Sequence, residues 1–263
     1  MLTYPRVLLT CVGVCVDLFA YEVCYDRTLS PALFLPCVAV ATDAVVGAVV
    51  CLYGNNVSAG LAVPILIMNY LLDGLALFLS LYIYTMYFHR LMATGWPENP
   101  KLPGLMLLVG PFGQLGAALL LTGSAASTKM NFEHYNAGTF ITAAGSQIAS
   151  AAGVVLALLF LGHDIFWLLV AVCGILKGAY RREHTYTLLW QAMIFPVATM
   201  TTTFVALSVE MDSAAFRGLA AAFTIYLTTA YLINWCFIIW HSIKGNLLIK
   251  PEPQQNTNGI KGD

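Results

Sequence analysis

Five carboxyl side chains, Asp17, Glu22, Asp43, Asp73 and Asp164, interrupt apolar runs long enough to cross a bilayer, and His163 stands beside the last of them. An ionised group at mid-membrane costs roughly 2.5–3.5 kcal/mol on insertion scales, so each is expected to be protonated, paired or turned toward water. Two kinds of chemistry suit such groups. Carboxyls in apolar surroundings make proton donors, and two of them converging on a closed apolar pocket could act on a lipophilic substrate, as in a cyclase. Alternatively, Asp43 or the Gly162-His163-Asp164 run could pass a proton, because histidine titrates near neutral pH. Plainer readings take precedence: Asp43 as a neutral or helix-pairing group, and Gly162-His163-Asp164 as a polar break in a bent helix. No nucleophile elbow, zinc helix or phosphate-binding glycine loop occurs. The seven cysteines have no metal-ligand spacing and read as small core residues.

A second pattern concerns the backbone. Pro36, Pro111 and Pro196 fall inside every second membrane-length segment. Proline removes a backbone donor and clashes with the carbonyl four residues back, so these three helices should bend. Irregular backbone at membrane depth is tolerated only against protein or a water-filled cavity. The expectation is an inner set of kinked helices around a central path, shielded from lipid by straighter neighbours. Gly104, Gly110, Gly113 and Gly116 make one face of the fourth segment small, which suits close helix packing or a widened path. Thr199 and Thr201 to Thr203 follow Pro196 and can bond carbonyls that the kink releases. No lysine or arginine lies deep in a span, so any anion there would be held weakly.

These elements sit in a chain of 263 residues, 59% apolar and 10% charged, with a net charge of −1. That composition describes an all-α integral membrane protein and gives no footing for nucleic acid. Spans are expected near 6–25, 31–53, 61–89, 104–123, 141–178, 184–209 and 215–243, about seven in all. Ser30-Pro31 should start the second, and Pro64 falls in the first turn of the third. The fifth reads as one long helix, tilted or broken at Gly162. Residues 1–249 form the membrane domain and 250–263 a disordered polar tail. Arg27, Arg90, Lys101, Lys177, Arg181, Arg182, Lys244, Lys250 and Lys261 fall on one side, against Arg6, Lys129 and Arg217 on the other. The bias places the C-terminus in the cytoplasm and the N-terminus outside. Asn56-Val57-Ser58 is a sequon in a loop too short to expect a glycan. A seven-helix receptor would fit that topology, but Asp-Arg-Tyr and Asn-Pro-x-x-Tyr signatures are missing.

Three stretches resemble one family. Pro103-Gly104 through Gly110-Pro111-Phe112-Gly113-Gln114, Trp190 through Phe195-Pro196, and Ser30 through Leu35-Pro36 are similar to inner helices of the tellurite-resistance/dicarboxylate transporter (voltage-dependent anion channel) family. It includes fungal malic-acid permeases, fungal sulfite efflux pumps and plant slow anion channels. The resemblance implies ten helices paired as five hairpins around a pore, of which this chain would supply the last seven. It further implies transport of a small anion, a C4-dicarboxylate such as malate or sulfite, across the plasma membrane, with no cofactor or metal and a homo-trimeric assembly in the lipid bilayer. Phe195 matches the family's pore-plugging phenylalanine. Pro196, Pro111, Gly110, Gly113 and Pro36 would shape the pore, leaving Asp43, His163 and Asp164 as proton-coupling candidates.

Overall fold

The computed structural model describes residues 3–21, 29–55, 57–128, 136–180 and 186–244. Glu22, Asn56, Arg181, Arg182 and the tail 250–263 lie outside the described residues. Seven α-helices run in order among those described: α1 Thr3–Tyr21, α2 Leu35–Tyr53, α3 Ala59–Thr94, α4 Gly110–Thr128, α5 Ala143–Tyr180, α6 Phe195–Glu210 and α7 Ala214–Ile243. Counting the 3-10 segments that lead into α2, α4 and α6, six elements are long and apolar enough to cross a membrane. Six of the seven expected spans coincide with these six elements to within a few residues; the first, 6–25, falls on α1, which is not among the six.

The prolines act at the starts of α-helices rather than as mid-helix bends. A 3-10 segment precedes α2 at Pro31–Phe34, α4 at Asn99–Leu108 and α6 at Leu188–Met193. In each case Pro36, Pro111 or Pro196 is the second residue of the α-helix that follows. The missing N–H and the crowding of the preceding residue end the upstream segment there. The tighter 3-10 winding accommodates the discontinuity over a few residues. Ser30 caps as expected, its hydroxyl accepting from the Ala32 N–H at 3.2 Å, but what it starts is the 3-10 turn and not the α-helix. Pro64 lies inside α3, which begins at Ala59, two residues earlier than the hydropathy edge.

α4 is the hub. It packs against α2, α3, α5 and α6, while α1 leans on α2 and α7 on α6. The 3-10 segment before α4 contacts those before α2 and α6, so the three breaks gather at one end of the bundle. Small residues let α4 approach its neighbours closely. A Cβ on Gly123 would fall 2.6 Å from the Ala149 carbonyl oxygen of α5. One on Gly153 of α5 would meet the Leu119 oxygen at 2.8 Å. α5 itself runs unbroken for 38 residues, so no break occurs at Gly162. Without a hydrophobic force between helices in lipid, such contacts are what hold the bundle together.

Candidate functional site: three broken helices

Gly110, the first residue of α4, sits against Pro196 at the start of α6, 3.6 Å from where its Cβ would be. Three residues on, a Cβ at Gly113 would meet Asp164 Oδ2 at 2.6 Å and Thr199 Oγ1 at 2.8 Å. Gly116 faces Thr203 and Ala157. The small face of α4 is thus filled by α6 and α5. Gly110 and Gly113 seat neighbouring helices and open onto no free space. The threonines serve the same contact. Thr199 Oγ1 donates within reach of both the Pro196 oxygen (2.7 Å) and the Gly110 oxygen (3.2 Å), and Thr203 Oγ1 donates to the Gly113 oxygen at 2.7 Å. Their partners lie on or beyond the kink, so they tie α6 to α4 instead of repairing carbonyls upstream of Pro196.

The upstream repair at α4 comes from elsewhere. In 3-10 winding, the N–H of residue 111 would satisfy the Leu108 carbonyl, and Pro111 has none. Buried Tyr84 of α3 donates its hydroxyl to that Leu108 oxygen. The Tyr84 ring is packed edge-on to His163 at 4.6 Å and stacked on Trp167 at 5.6 Å, while Phe112 lies 4.2 Å from His163. His163 Nε2 accepts from Trp167 Nε1 at 3.2 Å, and its Nδ1 is buried with no partner. Asp164, the next residue, is fully buried. Its carboxyl leans on the Gly113 amide without a well-formed hydrogen bond. His163 and Asp164 therefore grip α4 just past its break, one through the Phe112 ring and the other at Gly113.

Two faces remain open beside this packed centre. On α2, Leu35, Ala39, Thr42, Val46 and Val49 form an open or half-open stripe at alternating spacings of four and three. On α6, Phe195, Ala198, Thr202, Val205 and Val209 do the same. α2 and α6 each pack on α4 and make no substantial contact with one another. Each stripe begins with the bulky residue immediately before the helix proline: Leu35 is 48% exposed and Phe195 45%. Neither stripe contains a charged residue. Pro36 is half-buried, and Pro111 and Pro196 are buried behind these faces.

Among the carboxyls, Asp43 lies on the buried side of α2, near Tyr4 of α1 and off the open stripe. Asp73 is buried on α3 with both oxygens unpartnered, and Asp17 is exposed on α1. None of the three lines any of the crevices described for this bundle. None of these crevices is therefore an acid-lined apolar pocket of the kind that a cyclase requires. Sequence reasoning missed Tyr84 and the equivalent exposed placement of Leu35 and Phe195. A repeated bulky-residue–proline pair was the signal for the second; nothing local to Tyr84 points to a carbonyl 24 residues away.

The molecule is thus an α-helical membrane protein centred on proline-broken helices. It belongs to the voltage-dependent anion channel (SLAC1) family, whose model matches residues 5–239. The chain is similar to proteins named sulfite efflux pump SSU1 from Arthroderma benhamiae, Trichophyton rubrum and Arthroderma otae. Each is 26% identical over 216 residues, covering 82% of this chain and 55% of the relative. The chain spans about half the length of the curated relatives it matches. No solved structure matches it.

Proposed function

We propose that this chain moves a small anion across a membrane, unchanged chemically, along a path bordered by the open stripes of α2 and α6. Family membership and the relatives named as sulfite pumps support the reading. The observation that carries it is the placement of Phe195, 45% exposed at the proline break where the stripe of α6 begins. Its ring is the gate. Pro36, Pro111 and Pro196 set the bends, and Gly110 and Gly113 let α6 close on α4. The stripes offer threonine hydroxyls and backbone dipoles but no fixed positive charge, which gives weak binding suited to flux. Sulfite is the first substrate to test and a C4-dicarboxylate such as malate the second. The proposed setting is a homo-trimer in the plasma membrane, with the C-terminus cytoplasmic and the N-terminus outside.

The protein reconstituted in vesicles is expected to release sulfite faster than protein-free vesicles. Phe195→Ala should raise basal flux about tenfold, the effect of removing a barrier of ~1.4 kcal/mol. Phe78→Ala, on a 59% exposed ring of α3, should leave flux unchanged. Folded protein with no anion flux, or a Phe195→Ala variant indistinguishable from its parent, would overturn the reading. Proton coupling is the second reading, favoured by the unpartnered Asp164 carboxyl at Gly113. Asp164→Asn should then make flux insensitive to an imposed pH gradient across the vesicle membrane. Asp43→Asn, off the path, should not.

A further inference from the structure

The end of the bundle where the three 3-10 segments gather holds a buried cation. Tyr84, Tyr87 and Arg90 follow one another at intervals of three along the buried face of α3. Tyr84 marks the level of the breaks: its ring centre is 4.4 Å from that of Phe34, and its hydroxyl meets the Leu108 oxygen. Six residues further along an α-helix is about 9 Å, or four to five residues of 3-10 winding. That rise sets Arg90 upstream of the breaks, level with Ser30 before the first 3-10 segment and with Pro103-Gly104 in the second.

Arg90 is 8% exposed and Tyr87 wholly buried. Nη1 of Arg90 donates to the Tyr87 hydroxyl at 2.8 Å, and the guanidinium carbon lies 5.1 Å from the centre of the Tyr87 ring. Nε is buried and has no acceptor. The ion pairs among the described residues, Lys101 with Glu98 and Arg217 with Asp212, leave Arg90 out. The C-terminal end of a helix favours a cation, but no carbonyl of α3 reaches Nε. A buried charge without a counter-charge is costly, so a negative partner is strongly favoured here. A second donor is stranded at this end of the bundle: the hydroxyl of Thr187, just before the third 3-10 segment, is also buried without a partner.

We propose that Arg90 binds a small oxyanion. Tyr87 holds Nη1 and fixes the guanidinium plane, which leaves the Nε–Nη2 edge free. The two N–H bonds of that edge run parallel and match two oxygens of one oxyanion, whereas chloride offers a single centre. Nε is closed to solvent and Nη2 carries no hydrogen bond, so the anion enters from the Nη2 side. The oxyanion is either free in solution or the phosphate of a lipid headgroup, and the same edge serves both. The site lies apart from the stripes of α2 and α6 and does not depend on the transport reading.

The test uses the full chain in a maltoside detergent, which carries no phosphate, with nitrogen-15 in its six arginines. The Nε–H signal that disappears in Arg90→Lys belongs to Arg90. Titration with inorganic phosphate or sulfite is expected to move that signal to saturation at a concentration about tenfold lower than chloride requires at the same ionic strength. Tyr87→Phe frees Nη1 and should weaken the response about threefold, the loss of one hydrogen bond, which identifies the signal even if Arg90→Lys does not fold. Dioctanoyl phosphatidic acid that saturates the signal at a tenth of the phosphate concentration or less assigns the oxyanion to a lipid headgroup; equal or weaker action assigns it to solution. An Arg90 signal that phosphate and sulfite leave in place, or that chloride moves equally well, would overturn the proposal. So would a response that survives Arg90→Lys unchanged.

Discussion

α4 and α7 have nearly the same mean hydropathy in their membrane-crossing stretches, 1.8 and 1.6, yet 89% of the first is buried and only 6% of the second. In water such a difference would be written in polarity. In a bilayer it is not, because lipid tails are as apolar as leucine. Size and backbone separate the two helices. α4 reads GPFGQLGAALLLTGSAAST, short side chains that allow helices to close on it from several sides. α7 carries Phe, Tyr, Trp and Ile around its circumference and touches little besides α6 and the 3-10 segment before it. The other pairs agree: the broken α2 and α6 spans are 50% and 61% buried, the straight α3 and α5 39% and 33%. At the break before α4, the carbonyl that Pro111 leaves without a donor is met by another protein group, the Tyr84 hydroxyl.

The sharpest way to break this comparison is to add the same methyl group to an inward and an outward glycine. At Gly123 the new Cβ would fall 2.6 Å from the Ala149 oxygen and 2.9 Å from Ser150 Cα, backbone atoms that cannot swing aside. Gly123→Ala is expected to destabilise the protein by about 1–3 kcal/mol or prevent its isolation. At Gly162 nothing lies within 4 Å. Gly162→Ala should be neutral or stabilising by up to about 1 kcal/mol, the gain in helix propensity. Thermal unfolding in detergent distinguishes them, and equal effects would mean that α4 and α5 are not in backbone contact.

A smaller effect is expected from two tyrosines on α3, two residues apart. Tyr84→Phe strips the hydroxyl that satisfies the Leu108 carbonyl, leaving a buried acceptor unpaired at a cost of about 1–3 kcal/mol. Tyr82 is 66% exposed, and Tyr82→Phe should change stability by no more than ~0.5 kcal/mol. If flux as well as stability falls in Tyr84→Phe, the α4 break is part of the transport path and not merely a packing device.

How much of this was legible beforehand divides along the same line. Span positions and the inner role of the proline-bearing helices could be read, because hydropathy and proline chemistry are local. The 3-10 segments could not, since a missing donor at Pro36, Pro111 or Pro196 permits a kink, a 3-10 turn or a clean restart. Nor could the continuity of α5 through Gly162-His163-Asp164: His163 and Asp164 look like interruptions in a row of apolar residues, but Trp167, Tyr84 and Gly113 receive them. Two of those partners lie on other helices, and no local pattern brings them together. The glycines of α4 were read as a small face, correctly in kind, though whether Pro196, Asp164 or open space lies opposite is decided by tertiary packing.

The least disruptive contrast is between adjacent threonines of α6. Thr203 Oγ1 donates to the Gly113 oxygen of α4 at 2.7 Å and is wholly buried. Thr202 is exposed on the open stripe, its hydroxyl bonded back to the Ala198 oxygen at 3.0 Å. Valine has nearly the shape of threonine, so the substitution tests the hydroxyl with little change in packing. Thr203→Val should cost about 1 kcal/mol, a typical net hydrogen bond, and leave anion flux per folded molecule unchanged. Thr202→Val should do the reverse: stability within ~0.5 kcal/mol of the parent, but slower flux, because it removes a hydroxyl whose proton can turn from the Ala198 oxygen to a passing anion. If both variants change stability alone, the stripe on α6 faces lipid or protein, and the anion path lies elsewhere.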